Sequence, residues 1–132
     1  MCIRDSTSAL YALLDADNVA HQQAADAWVE IRQTGQEIIT TNYVLVETAA
    51  LLQRRLGLDA TRAFIEGMAP LLTVQWIDPE VHSRAVATLL AANRRDLSLV
   101  DYVSFEVMRR LGIRHAFTLD EHFREQGFDC AP

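Results

Sequence analysis

Apolar positions along the chain follow two rhythms, short β-branched runs and longer stretches spaced every three or four residues, and the two alternate throughout. Thr7 to Leu14 (TSALYALL) sets Thr and Ser ahead of an apolar stripe, predicting a capped first helix. Asn18 to Gln33 places Ala20, Ala24, Ala27, Trp28 and Ile31 at helical spacing, and Gly35 closes it. Glu37 to Thr41 (EIITT) reads as a strand. Asn42 is expected to cap a helix that carries Tyr43, Val44, Val46, Glu47, Ala50 and Leu51 and ends near Gly57. Asp59 opens another that Pro70 stops, and Leu72 to Ile77 is the next strand. Asp78 and Pro79 form an N-cap and N1 pair for a helix to about Ala92. A further helix runs from about Ser98 to Gly112, followed by a strand over Ile113 to Leu119. Asp120 then starts a short helix that Gly127 ends, and Phe128 opens a last edge strand.

Strands alternating with helices, without hairpin turns, predict a single-domain three-layer α/β/α sandwich around a central, mainly parallel sheet. A chain of 132 residues has room for one ordinary core. Open α/β sheets take ligands outside the carboxyl ends of their strands, so that edge is where chemistry is expected.

Composition narrows the chemistry. All twelve basic residues are arginine, so a Walker A phosphate loop and Schiff-base or pyridoxal chemistry, which need lysine, are excluded. The missing lysine also weakens a receiver domain or a haloacid-dehalogenase-type phosphatase. Cys2 and Cys130 have no zinc-ligand spacing, and a reducing cytoplasm fits them. No apolar run reaches membrane-spanning length, and the opening residues lack the form of a signal peptide, so a cytoplasmic protein without a membrane partner is expected. Eighteen acids against twelve arginines give a net charge of −6, which repels polyanions at long range. Nucleic-acid binding therefore requires a local basic rim or a metal ion.

Four acids fall just after a predicted strand or early in the following helix: Asp5, Glu47, Asp101 and Asp120. Glu47 and Asp101 sit within apolar stretches, VLVETAALL and LSLVDYVSF, where a carboxylate is costly unless a donor or cation compensates it. Each has a bland reading: Glu47 on the solvent side of an amphipathic helix, Asp101 as a first-turn acid favoured by the helix dipole. Together at one sheet edge they make the hard oxygen set preferred by Mg²⁺ or Mn²⁺, and phosphodiester hydrolysis is the reaction class such a set suits.

TSALYALLDADNVAH, TNYVLVETAALLQRRLG, LSLVDYVSFEVMRRLG and HAFTLDEHFREQGF resemble, in order and spacing, the motif blocks of the PIN-domain family, especially the VapC-like ribonuclease toxins. The resemblance implies a Mg²⁺- or Mn²⁺-dependent endoribonuclease acting on RNA. By position, Glu47, Asp101 and Asp120 would be its catalytic, metal-holding acids. It also implies a homodimer, here expected near Thr48 to Arg62, and a small antitoxin partner whose tail occupies the acidic groove.

In the family the first block ends its strand on Asp-Thr-Ser-Ala, whereas this chain reads Asp5-Ser6-Thr7-Ser8-Ala9. Ser6 thus aligns with the expected metal-ligand Asp and Asp5 stands one residue early, where alternation on a strand turns it to the opposite face. Ser6 is expected in the ligand position, with Asp5 facing away or, as a fourth metal ligand reached through a bulge or twist, only partly compensating. Thr7, Ser8 and Thr118 are candidates for hydrogen bonds to the ligating carboxylates, although Thr7 and Ser8 equally suit helix capping. MCIRDS matches the translation of a transposon end used in sequencing-library preparation, and the apolar first strand is missing from it. Residues 1 to 6 are therefore expected to be adapter-derived, replacing the native strand and its Asp.

His21 and His122 read as capping or packing residues. The pairs Arg54 and Arg55, Arg94 and Arg95, and Arg109 and Arg110 read mainly as solvated faces with a phosphate path as the alternative. Trp28 and Trp76 read as core or dimer-contact residues. The competing function is a catalytically inactive PIN-like module that binds RNA or an antitoxin; a hydrolase of small phosphate esters is a third.

Overall fold

A computed structural model describes residues 2–132; Met1, the first residue of the segment expected to be adapter-derived, lies outside them. Five strands form one sheet: β1 (Cys2–Asp5), β2 (Glu37–Thr41), β3 (Thr73–Gln75), β4 (His115–Phe117) and β5 (Asp129–Ala131). Their order is β3-β2-β1-β4-β5, and every neighbouring pair is parallel. On one face lie α1 (Thr7–Leu14), α2 (His21–Gln33) and α3 (Asn42–Arg55). They bury Leu10, Ala24, Ile31, Val44 and Leu52 against Ile3, Ile38 and Phe117. The other face carries α5 (Pro79–Ala92), α6 (Leu99–Leu111) and α7 (Glu121–Glu125), which bury Val81, Tyr102, Phe105, Met108 and Phe123 against Ile39 and Ala116. The result is the expected three-layer sandwich.

Local chemistry sets the element ends. Thr41, not Asn42, caps α3, its hydroxyl accepting from the Val44 amide at 3.2 Å. Asn42 instead accepts from the Ile77 amide at 2.8 Å and ties β3's exit to α3. The second helix starts at His21 because Asp15 and Asn18 hold the preceding residues in turns, accepting from the amides of Asp17 and Ala20. Asp78 caps α5 as the Asp-Pro pair predicts. The segment predicted as one helix from Asp59 begins as α4 (Leu58–Arg62) and then widens to a π-helical stretch (Ala63–Met68). It tightens to a 3₁₀ turn (Ala69–Leu71) at Pro70, which has no N–H to continue a helix. Nothing in the sequence pattern marks the widening.

The opening segment forms a strand although it lacks the apolar pattern of one. β1 is present and central, with Ile3 in register with Ile38 on one side and His115 on the other. The ladder uses peptide groups, which any residue supplies, so pairing on both sides overrides a sequence poor in strand formers. The consequence is a fully buried ion pair. Arg4 and Asp5 are both 0% exposed, and Arg4 Nη1 donates to Asp5 Oδ1 at 2.7 Å. Nη2 donates to Ser104 Oγ at 2.8 Å and Thr41 Oγ1 at 3.4 Å. Among the described residues Arg4 Nε and Asp5 Oδ2 have no hydrogen-bond partner, so the desolvation of both charges is only partly compensated. Burial pushes the Asp5 carboxyl up to about 6 against the pull of Arg4, and the same burial lowers Arg4.

Two outcomes are expected in urea denaturation. Asp5→Ala alone should lower stability by about 3–5 kcal/mol, because it strands a buried guanidinium, whereas Arg4→Met with Asp5→Ala should be neutral or more stable by about 1–4 kcal/mol. Because the folded carboxyl holds its proton to a higher pH than the unfolded one, its contribution to stability is complete at low pH. That contribution declines as pH rises from about 4 to about 6, a decline that Asp5→Asn should remove.

Candidate active site

Parallel strands deliver their carboxyl ends to one edge, and a cavity of about 410 Å³ opens there. Glu47 enters it from the second turn of α3, Asp101 from the first turn of α6, and Asp120 from the junction between β4 and α7. Ser6, Thr7 and Ser8 line it from the start of α1, and Ser104 from α6. Asp5 does not line it: its side chain is fully buried and paired with the guanidinium of its neighbour Arg4.

The bland readings of the two aspartates are also met. Asp101 Oδ2 accepts from the Ser98 amide at 2.9 Å while Ser98 Oγ accepts from the Asp101 amide at 3.2 Å, a reciprocal capping box. Asp120 caps α7, its Oδ1 accepting from the His122 amide at 2.9 Å. Each aspartate thus spends one oxygen on a helix end and, among the described residues, keeps the other unbonded to protein. Glu47 accepts no protein hydrogen bond among the described residues. Burial pushes the Asp101 carboxyl above its ordinary value, and repulsion from Asp120 and Glu47 adds to it, against the Ser98 donors that favour the charged form. Asp101 therefore senses both other acids across the cavity.

A ring of hydroxyls stands beside them. Ser6 Oγ donates to Thr118 Oγ1 at 2.8 Å and pairs with Ser8 Oγ at 2.9 Å. Thr118 Oγ1 accepts from the Asp120 amide at 3.0 Å, and Ser8 Oγ from the Leu119 amide at 3.1 Å. Thr118 and Ser8 thus fix the Asp120 turn through its backbone, while Thr7 Oγ1 is buried without a partner. In donor chemistry the site fits a hard divalent cation, with three carboxylates holding unspent oxygens and hydroxyls around them. Among the described residues no three His, Cys, Asp or Glu side chains stand close enough to be a ready-made ligand set.

The profile described as PIN domain matches residues 6–129. The chain belongs to the PIN-domain family. This PIN-domain chain is 32% identical over 123 residues to a Mycobacterium tuberculosis protein named 23S rRNA-specific endonuclease VapC20, covering 92% of each. Its fold matches the crystal structure of M. tuberculosis VapC20, titled a sarcin-ricin loop cleaving toxin, with a TM-score of 0.84 over 96% of this chain and 95% of that one, at 32% identity. FitAcB from Neisseria gonorrhoeae matches with a TM-score of 0.69 at 10% identity over 100% and 97% of the chains, a likeness of fold alone.

Of the other singled-out residues, Arg55 lines the cavity, while the histidines, the tryptophans, Arg94 and Arg110 lie off it. His21 Nδ1 bonds Ala12 O at 2.7 Å and docks α2 on α1. His122 bonds Glu125 at 3.2 Å and lies 3.9 Å from Asp120; its hydrogen bond to Glu125 raises it, helped by Asp120. Arg94 is held by Asp96 and Glu125, and Arg110 by Glu106 and Glu80. Trp28 packs against Phe117, while Trp76 is 71% exposed. The sequence reading missed Tyr11, Asn18, Ser98 and Ser104 as cavity residues. The Ser98-x-x-Asp101 spacing is a legible capping signal; Tyr11 belongs to the apolar stripe of α1, where nothing local separates a cavity residue from a core one.

Replacing Asp120 by Asn should lower the Asp101 pKa, and Glu47→Gln should do so to a smaller extent, read by carboxyl NMR titration. Ser98→Ala should cost about 1 kcal/mol in thermal or urea unfolding through the lost cap.

Proposed function

We propose that this chain is an RNA-cleaving toxin that hydrolyses phosphodiester bonds with the help of Mg²⁺ or Mn²⁺. The observation that carries the reading is the convergence of Glu47, Asp101 and Asp120, from three separate segments, on one cavity at the carboxyl edge of the sheet. The relative named as a 23S rRNA-specific endonuclease supports it, and makes a sarcin-ricin-loop RNA the first substrate to try.

In this reading Glu47, Asp101 and Asp120 hold the cation, and Ser6 stands where a further carboxylate belongs. The bound ion would supply Lewis acidity and would offset the charge of a phosphodiester entering an acidic cavity. The chain's own part is positional. Ser98 fixes the rotamer of Asp101, and Thr118 and Ser8 hold the backbone from which Asp120 projects. The repulsion already felt by Asp101 is relieved when positive charge arrives, so the acids need a cation more than they need one another.

The partners in this reading are an antitoxin, which would cover the cavity, and a second copy of the chain. The stretch from Thr48 to Arg62 exposes Leu56 and Leu58, as a dimer contact requires. Among the described residues no helix is long and apolar enough to cross a membrane, and we place the protein's work in the cytoplasm. We further propose that residues 1 to 6 are adapter-derived. The half-satisfied Arg4 and Asp5 pair in the central strand supports this, and genuine genomic sequence encoding MCIRDS in the source contig would overturn it.

A second reading, an inactive module that binds RNA or antitoxin, is favoured by Ser6 and by the lack of a ready-made ligand set. One experiment separates the two. Titrating Mn²⁺ against a fluorogenic sarcin-ricin-loop RNA should give cleavage that Asp101→Asn lowers at least about 100-fold and that Ser6→Asp raises at least about tenfold. Cleavage indifferent to Asp101→Asn rejects the site. No cleavage even with Ser6→Asp favours the binding module.

A further inference from the structure

Substrate binding in an acidic molecule needs a cation near the site, and α3 supplies one. Glu47, Leu51 and Arg55 recur every four residues, fall on one face of that helix and line the same cavity. The Arg55 Cα lies ~12 Å along the helix from that of Glu47, and helical side chains lean back toward the N-terminus, which brings the guanidinium toward the acids. Its plane is set by Tyr11, whose ring centroid lies 5.5 Å from Arg55 Cζ. Tyr11 is itself buried in the core beside α1's apolar face, so the platform is rigid.

Arg55 is also unspent. Arg62, Arg84, Arg94, Arg110 and Arg124 are engaged by carboxylates, whereas Arg55 has no ion-pair partner among the described residues. Asn18 lines the cavity too, and its Oδ1 accepts from the Ala20 amide at 2.9 Å, leaving its side-chain amide protons unused. We infer that Arg55, stacked on Tyr11, grips an RNA phosphate flanking the scissile one, with Asn18 as a second donor, so that binding and cleavage occupy opposite ends of one cavity. The inference rests on the RNA-cleaving reading and names the residue that holds the substrate.

Fluorescence anisotropy with a labelled sarcin-ricin-loop stem-loop, in EDTA so that nothing is cleaved, tests it across a salt series. Arg55→Ala should weaken binding about 5- to 20-fold and make the slope of log K against log salt shallower by about 0.7–0.9, the loss of one phosphate contact. Arg55→Lys should restore most of the slope, and Arg84→Ala, on the opposite layer, should match wild type. Wild-type affinity and slope in Arg55→Ala overturn the assignment while leaving the nuclease reading standing. Equal weakening by Arg84→Ala overturns it in favour of a diffuse field. The same comparison with Mn²⁺ covers a wild-type chain that binds only when the acids are neutralised; one that binds in neither condition overturns the assignment and removes this RNA as the substrate.

Discussion

A parallel sheet cannot reverse at its carboxyl edge; each strand that continues must hand its chain to a connection there, and in this chain most of those connections open into helices. The helix starts leave amides without partners, so the same edge collects capping oxygens. Thr41, Ser98 and Asp120 are all recruited in this way, and Asp101 is drawn in through the capping box. The concentration of oxygen atoms at one rim is thus a consequence of backbone hydrogen bonding before it is a consequence of chemistry. Glu47 adds the one carboxylate of the three that no helix end requires.

The same logic explains what the sequence could reveal. Helix starts at Asp78 and Ser98 and the stop at Gly112, whose φ of 68° suits glycine, are written in single residues with local causes. The short β-branched run marks β2 to the residue, as suits a strand buried over four of its five positions. Long-range contacts were less legible. Nothing in Cys2-Ile3-Arg4-Asp5 resembles a core strand, and only its two ladder partners make it one. For the acids, position relative to predicted strands picked out Glu47, Asp101 and Asp120, but the Tyr11 ring beneath Arg55 depends on how α1 packs on α3, which no local pattern encodes.

The interior of this sandwich carries an electrostatic compromise at its centre. Arg4 reaches from β1 to Thr41 and to Ser104, which lines the cavity, and so places a guanidinium behind the cavity wall. Asp5 neutralises it at the cost of a second buried charge. A protein that tolerates this pair recovers the deficit from its two apolar layers, in which residues such as Leu10, Val103, Met108 and Phe117 are wholly buried.

The double duty of Asp101 and Asp120 also bears on how descendants of such a fold would diverge. A lineage that had abandoned chemistry would still be selected to keep both aspartates, because losing either would loosen a helix end. Glu47 closes no helix, so drift would reach it first, and its presence or absence among sister sequences is the clearest record of whether catalysis is still under selection.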